Sequence, residues 1–561
     1  MPKKPTALIE LYFSEQTVEV GPKSRTQTQA SRHAGVWGAS LQEARLNEPL
    51  QEAARLYAAR DYQAAEAVCR AIVHREPPHF DALHLLGVVL TPQDRHDEAV
   101  TYLRAARAEW PDHAQLQVNL GNALIATKRF DEVIAICSTG NPGGLNNLGL
   151  AHRGLEQHAA AADAFRQATK ARWDHAPAWS NLATTLVKLG RLEDALQVGT
   201  IALRVAPLDT PVLRLADITN EIGRTLLALG RPEETLAVCR RFLKRHPGQT
   251  TVMWNMSQCL LLLGQFEEGW RAYEHRFDVP GHDARPEGAI VLDPARVAGK
   301  RVLILTEQGR GDMLQFIRYA PLLTARGAAV LVQAYPDLVP LLAAMPGIAS
   351  VASIEDPRPK ADLITSVISL PLAFGHHPAI VPYLCVPLDR QAMTLGLRDR
   401  PRVGVVWSGS PHSHQRSAMP AEILAPLLAL SGFEFHCLQK EITERDQAWL
   451  DSARPPINLH VRNLVDCADT AALIVQMDVI VTIDTAIAHL AGALVKPVNL
   501  MLPFNPDWRW MLERDDTPWY PTSRLFRQSE RRGWTPVVQA ATNSFRHGPA
   551  CSDHRFQRLP L

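Results

Sequence analysis

A spacing of 34 residues recurs through the first half of this chain. Pro77 and Pro111 stand 34 apart, and so do Ala65 and Ala99, and Gly87 and Gly121. The register slips and then resumes: Gly149 and Ala183, Ala161 and Ala195, and Ala168 and Ala202 are again 34 apart. Pro207 and Pro247 close two further units, 40 residues apart. Each unit reads as two amphipathic helices. Leu83, Leu86, Gly87 and Leu90 share one stripe, Ala99, Leu103 and Ala106 the next, and Pro111 ends the unit. Trp179, Leu182, Ala183 and Leu186, followed by Ala195, Ala202 and Pro207, repeat the design. The small residue in each helix lets its partner approach closely, and the proline cannot continue a helix and marks the turn.

The period, the small residues and the prolines resemble the tetratricopeptide repeat. About seven units fit between residues 46 and 277, and the one at 114–141 is cut short at Ser138-Thr139-Gly140-Asn141-Pro142-Gly143-Gly144. The resemblance implies a right-handed solenoid whose concave face takes a peptide or protein. Most of the apolar positions are then core between helices.

Composition narrows the class. With 59 Lys+Arg against 58 Asp+Glu the net charge is +1, which argues against coating nucleic acid through bulk charge. At 561 residues the chain is too long for one core, and two to four domains are expected. The start, Met1-Pro2-Lys3-Lys4-Pro5, lacks the apolar core of a secretory signal. The most apolar stretches, near 328–354 and 471–503, are broken by Asp337, Pro340, Asp478, Asp484 and His489, so no transmembrane helix is expected. Eight scattered cysteines with no CxxC pair point away from zinc or disulfides. They point towards a cytoplasmic location, or one peripheral to the inner face of the membrane.

After Phe277 the pattern changes. A polar connector, Pro280 to Gly288, leads into short apolar strands alternating with helices. Strands are expected at 301–305, 329–332 and 361–364, with a shorter piece at 380–381. Helices are expected at 313–326 and 338–345. A second series follows at 402–407, 433–438, 479–483 and 497–501. Alternation of this kind implies parallel sheets covered on both faces. The expected layout has a poorly ordered segment at 1–45, an all-α repeat solenoid at 46–277 and a linker at 278–300. Two α/β Rossmann-like lobes follow at 301–395 and 396–540, then a tail at 541–561. Ligands would bind between the lobes, at the carboxyl ends of the strands.

Two turns carry candidate chemistry. Gly309-Arg310-Gly311-Asp312 joins a strand to a helix; Leu314 stands where the last glycine of a dinucleotide GxGxxG would be, which disfavours a dehydrogenase. The glycines Gly309 and Gly311 would admit a ligand to the backbone while Asp312 projects into the cleft. Alternatively Asp312 only caps the helix. In the second turn a strand runs into Asp484-Thr485 and then a small-residue helix holding His489. Amides at that helix start, with the Thr485 hydroxyl, would cradle a diphosphate. His489, one helical turn on, would donate to a phosphate oxygen. The alternative is an ordinary cap and a core histidine.

These two turns, in this order, resemble the heptosyltransferase family (glycosyltransferase family 9). So do Gln315-Phe316-Ile317-Arg318-Tyr319-Ala320, Val405 to Gly409, Leu438-Gln439-Lys440, Leu502-Pro503-Phe504, Pro506 to Trp510 and Pro518 to Pro521. The whole layout is similar to bacterial tetratricopeptide-repeat glycosyltransferases, over roughly 46–536. The resemblance implies a GT-B fold and transfer of a sugar, with inversion, from a nucleoside diphosphate sugar to an acceptor hydroxyl. Asp312 matches the general base, and Asp484, Thr485 and His489 match the donor-phosphate loop. Gln439, Lys440 and Arg416 fall where such proteins contact the donor. The donor nucleotide sugar is a substrate; no cofactor or obligatory metal is implied. The repeats would recruit a protein or glycan acceptor.

The chain departs from that family at Ala486, where glycine is usual, and in the 408–416 loop, which has fewer basic and Asn residues. Trp508, Trp510, Trp519 and Tyr520 read as core rather than as a platform for a base or sugar. The pairs His376/His377 and His412/His414 have no carboxylate or cysteine at ligand spacing and read as surface loops. The competing function is a non-catalytic scaffold carrying a degenerate transferase module.

Overall fold

The computed structural model describes residues 48–75, 80–137, 141–206, 210, 212–375, 381–390, 395–396, 399–409, 419–530 and 533–545. The N-terminal segment 1–45, Arg416 and the histidines 376, 377, 412 and 414 lie outside these residues. The chain divides into two compact units, 1–247 and 248–561.

The first unit is helical. Its pairs are Glu48–Ala58 with Tyr62–Arg75, Phe80–Leu90 with His96–Glu109, and Ala114–Ala126 with Phe130–Ile136. Pro142–Gly154 pairs with His158–Ala171, Ala176–Lys188 with Leu192–Val205, and Val212–Ala228 with Pro232–Arg245. The shortened third unit is visible in the seven residues of its second helix. Within the pairs, the turn residue is in the left-handed conformation at Arg60, Asp94, Lys128, Glu156, Gly190 and Gly230, spacings of 34, 34, 28, 34 and 40. The repeat is thus a repeat of backbone conformation even where glycine is missing.

The small residues do what their period implied. A Cβ on Gly87 would lie 2.4 Å from Leu103 Cγ, and one on Gly149 would lie 2.5 Å from Phe165 Cε1. Leu103 and Phe165 sit on the second helices of those pairs and are fully buried. A larger residue would push the helices of a pair apart.

The second unit begins with one more helical pair, Thr250–Leu262 and Phe266–Tyr273, whose turn residue Gly264 continues the left-handed series. This pair belongs with the α/β layers rather than with the other repeats. Trp270 packs edge-on against Phe316 and Trp508, at 5.6 and 5.2 Å between ring centres. Arg276, only 3% exposed, reaches from the same segment to Glu274 and Glu307 at 2.7 Å each, and to Ser369 Oγ at 3.0 Å. A buried guanidinium is tolerable only when its partners are this complete. Glu307 lies in the loop after the first strand and Ser369 just after the fourth, so Arg276 fixes both loops to the helical pair.

The α/β region holds ten strands among the described residues. They are β1 Arg301–Leu305, β2 Ala329–Ala334, β3 Ile348–Ser353, β4 Leu363–Ser366 and β5 Arg402–Val405. The rest are β6 Glu434–Cys437, β7 Ile457–Leu459, β8 Val479–Ile483, β9 Val498–Leu502 and β10 Ser523–Arg527. All pairings are parallel. One sheet has the order β3-β2-β1-β4 and the other β10-β9-β8-β5-β6-β7. Numbered within its own lobe, the second sheet runs 3-2-1-4-5-6 from β7 to β10, the doubly wound order, and the first is its 3-2-1-4 fragment. Helical repeats followed by two parallel-sheet lobes is the fold class expected from the sequence.

Local detail differs. The helix expected at 313–326 is broken into Arg310–Phe316, a 3₁₀ turn and Ala320–Thr324, the last containing Pro321. The helix expected at 338–345 is a 3₁₀ turn at Pro336–Leu338 running into Val339–Ala343, with Pro340 at its start. Strand β9 is displaced by one residue from 497–501 because Pro497 cannot donate to the ladder. Trp510, Trp519 and Tyr520 are fully buried and Trp508 nearly so, which makes this cluster core. No described helix is long and apolar enough to cross a membrane.

Gly149→Ala is expected to lower the unfolding free energy of the repeat unit by about 1–3 kcal/mol, since Phe165 must shift to admit a methyl group. Gly→Ala in an exposed helix has the opposite sign, by about 1 kcal/mol. Denaturant unfolding followed by far-UV circular dichroism measures it, and a stabilised variant would contradict the packing described.

Candidate functional site

In each lobe the strand order reverses at one place, between β1 and β4 and between β8 and β5, and crevices form at the carboxyl ends there. The loop leaving β1 carries Gly309 to Asp312, and the one leaving β8 carries Asp484 and Thr485. Both candidate turns therefore stand at switch points.

The two meet. The helix Arg310–Phe316 and the helix Ala486–Ala493 touch at their starts. A Cβ on Gly311 would lie 3.1 Å from His489 Cδ2 and 3.7 Å from Ala486 Cα. Gly311 eases this approach rather than serving an unusual backbone angle.

Asp312 occupies the third position of its helix. Its Oδ2 accepts from the Gly309 N–H at 2.8 Å, which is the capping role. Its Oδ1 pairs with Arg509 Nη2, across from the other lobe. The side chain is 15% exposed. Burial raises its carboxyl above the usual range while Arg509 opposes the rise.

Arg509 follows β9 in a 3₁₀ turn, Trp508–Trp510, capped by Asp507. The Arg509 side chain is 9% exposed. Besides Asp312, it donates from Nη1 to Asp507 Oδ1 at 2.8 Å and from Nε to Gln315 Oε1 at 2.6 Å. Its guanidinium lies 4.3 Å from the Trp508 ring centre. Asp484 shares this field: burial pushes its carboxyl up to about 7, and the charges of Asp507 and Asp312 add to the rise. Arg509 and the Trp510 indole oppose it. The Trp510 indole N–H thus faces the Asp484 carboxyl.

Thr485 caps the helix Ala486–Ala493 through its backbone, with no hydrogen bond from its side chain to the first turn. Its hydroxyl lies 3.3 Å from Thr482 Oγ1. The first-turn amides thus have no side-chain acceptor among the described residues. His489 is buried and stacked on Trp510 at 5.3 Å, and its Nδ1 lies 2.9 Å from Tyr520 Oη. Burial, Arg509 and Arg318 hold it neutral. Tyr520 Oη is only 3.4 Å from Tyr383 Oη, whose own proton goes to the Leu314 carbonyl at 2.8 Å. The shorter contact assigns the Tyr520 proton to His489 Nδ1, which leaves the proton of the neutral ring on Nε2, the nitrogen nearer Gly311.

The remaining candidates are placed elsewhere. Gln439 Oε1 accepts from the Trp407 and Ser408 amides at 2.7 and 2.9 Å, and its Nε2 donates to Ser408 Oγ and the Glu441 carbonyl. It braces the loop after β5. Lys440 Nζ donates to the Val465 carbonyl at 2.7 Å, on an exposed side chain. Sequence reasoning passed over Arg509, Asp507 and Gln315. The available signal was an arginine flanked by two tryptophans that both belong to the core.

Family models for the tetratricopeptide repeat match residues 92–147, and residues 50–108 and 146–209. Residues 50–209 are tetratricopeptide repeats. Over 535 residues the chain is 25% identical to Protein FlbA of Caulobacter vibrioides, which covers 87% of each. Among solved structures, ADP-heptose LPS heptosyltransferase II of E. coli is similar over 44% of this chain and 97% of its own, with 14% identity and a TM-score of 0.32. A glycosyltransferase family 9 protein of Veillonella parvula is similar over 43% and 88%, with 11% identity and a TM-score of 0.34. The fold described above rests on this chain's own strand order.

Because the folded Asp484 titrates above its unfolded value, its neutral form contributes fully below about pH 4. That contribution is lost as the pH rises through 7. Asp484→Asn is therefore expected to raise the unfolding free energy by about 2–3 kcal/mol more at pH 8 than at pH 5, with the effect vanishing only below about pH 4. Denaturant titrations at the two pH values check this, and an equal effect at both would contradict it.

Proposed function

We propose that the α/β unit is an inverting glycosyltransferase that moves a sugar from a nucleoside diphosphate sugar to an acceptor hydroxyl, with the repeats recruiting the acceptor or a partner. One observation carries the reading: the two switch points bring a carboxylate, Asp312, and an uncapped helix start, Thr485–Ala486, to one place. A carboxylate and a set of amide donors are what such a transfer needs on its two sides. The acceptor hydroxyl gives its proton to Asp312 as its oxygen attacks the anomeric carbon. The bond from that carbon to the diphosphate oxygen breaks with the electron pair going to the phosphate. The amides at the start of helix Ala486–Ala493, the Thr485 hydroxyl and the His489 Nε2 proton stabilise the departing charge. None of these roles requires a metal.

A second reading, a scaffold with a spent transferase module, is favoured by one fact: both Asp312 oxygens already have protein partners, Gly309 N–H and Arg509. Melting the full chain against a panel of nucleotide sugars separates the two. Binding to the native state raises the melting temperature, and the scaffold reading expects no shift with any member. With the donor so found, Asp312→Asn is expected to lower turnover about 100-fold or more while nucleotide binding survives. Unchanged turnover would remove Asp312 from the base role.

A further inference from the structure

The cleft holds more hydrogen-bond donors than acceptors in one respect and more carboxylates than cations in another. Gln315 is fully buried, its Oε1 takes the Arg509 Nε proton, and its Nε2 has no acceptor among the described residues. Trp510 is fully buried too, and its indole N–H faces the Asp484 carboxyl. Leaving a buried donor unmade costs about 1–3 kcal/mol, so the Gln315 amide needs an explanation. Both residues border Arg509, through the Gln315 amide and through the Trp508–Trp510 turn. Arg509 itself is held by two carboxylates from opposite lobes, Asp312 and Asp507, and a planar guanidinium serves phosphate as well as carboxylate.

We propose that Arg509 is the diphosphate-binding arginine of this cleft, held on Asp312 and Asp507, and that an incoming diphosphate takes over the guanidinium and so frees the Asp312 carboxylate. The inference rests on the transferase reading and deepens it. It turns the occupied state of Asp312 from an objection into a safeguard, because the base is uncovered only when the donor is in place. A phosphate oxygen supplies the acceptor that Gln315 Nε2 needs. No covalent bond changes: two N–H donors move from carboxylate to phosphate oxygen. The rise in the Asp484 carboxyl to about 7 fits this, since a proton there offsets part of the incoming negative charge. Asp507, with 36% of its side chain exposed, can turn to water when Arg509 leaves it.

Calorimetric titration of the full chain tests this, at pH 6.5 and low salt, with pyrophosphate and with ADP, GDP, UDP, CDP and dTDP. Asp507→Asn removes one competitor for the arginine and is expected to tighten diphosphate binding by roughly 3- to 10-fold. Arg509→Gln is expected to weaken it at least about 10-fold. Asp507→Asn alone keeps the test decisive if Arg509→Gln does not fold, because its side chain is at the edge of the cluster. Diphosphate binding with an unchanged Kd in Asp507→Asn overturns the exchange and leaves the transferase reading standing. No binding of any probe to the wild-type chain overturns both. Tightening seen equally with pyrophosphate and the nucleotides supports the diphosphate as the shared ligand group. Tightening with nucleotides alone supports the exchange with the nucleoside needed for entry.

Discussion

A close approach of two helix starts at Gly311 organises the cleft. Gly311 brings the start of helix Arg310–Phe316 against Ala486 and His489, at the start of the other lobe's helix. Parallel sheets put their crevices at the carboxyl ends of strands, so each lobe on its own offers half a site. With the helix starts in contact, Asp312, Asp484, Asp507 and Arg509 share one low-dielectric field. Among the described residues Asp312, Asp484 and Asp507 face Arg509, and burial, Arg509 and Arg318 hold His489 neutral.

Within the second unit the helical pair Thr250–Leu262 and Phe266–Tyr273 is fixed to this site. Arg276 ties that pair to Glu307, whose Oε1 also accepts from the Ile368 amide at 3.2 Å. The loops after β1 and β4 are thereby held from behind. Trp270 and Tyr273 add an aromatic wall shared with Phe316 and Trp508. The helix that presents Asp312 is therefore packed on this helical pair.

Much of this was legible in the residues. The 34-residue spacing named the helical pairs, and the glycines at 87 and 149 named their contacts. The backbone repeat was less visible because Arg60, Asp94, Lys128 and Glu156 take the left-handed turn that glycine usually takes. Three strands were not read: β3, β7 and β10. Each lies at the edge of its sheet. Edge strands are half solvated, so β3 and β7 expose several residues and β10 alternates Arg with Leu and Phe instead of showing an apolar run. At the site, spacing led to Asp312, Asp484, Thr485 and His489, because a strand-turn-helix signals where a turn faces. It did not lead to Arg509. Its partners Asp312 and Gln315 are nearly two hundred residues away, and only the closing of two lobes joins them.

The account's central claim is that the two helix starts face one anion. The most direct measurement is a crystal structure of the full chain grown with a nucleoside diphosphate. The account predicts phosphate oxygens within hydrogen-bond distance of the Ala486 or Ile487 amide, with Gly311 on the opposite wall. Phosphates bound away from both helix starts would contradict it.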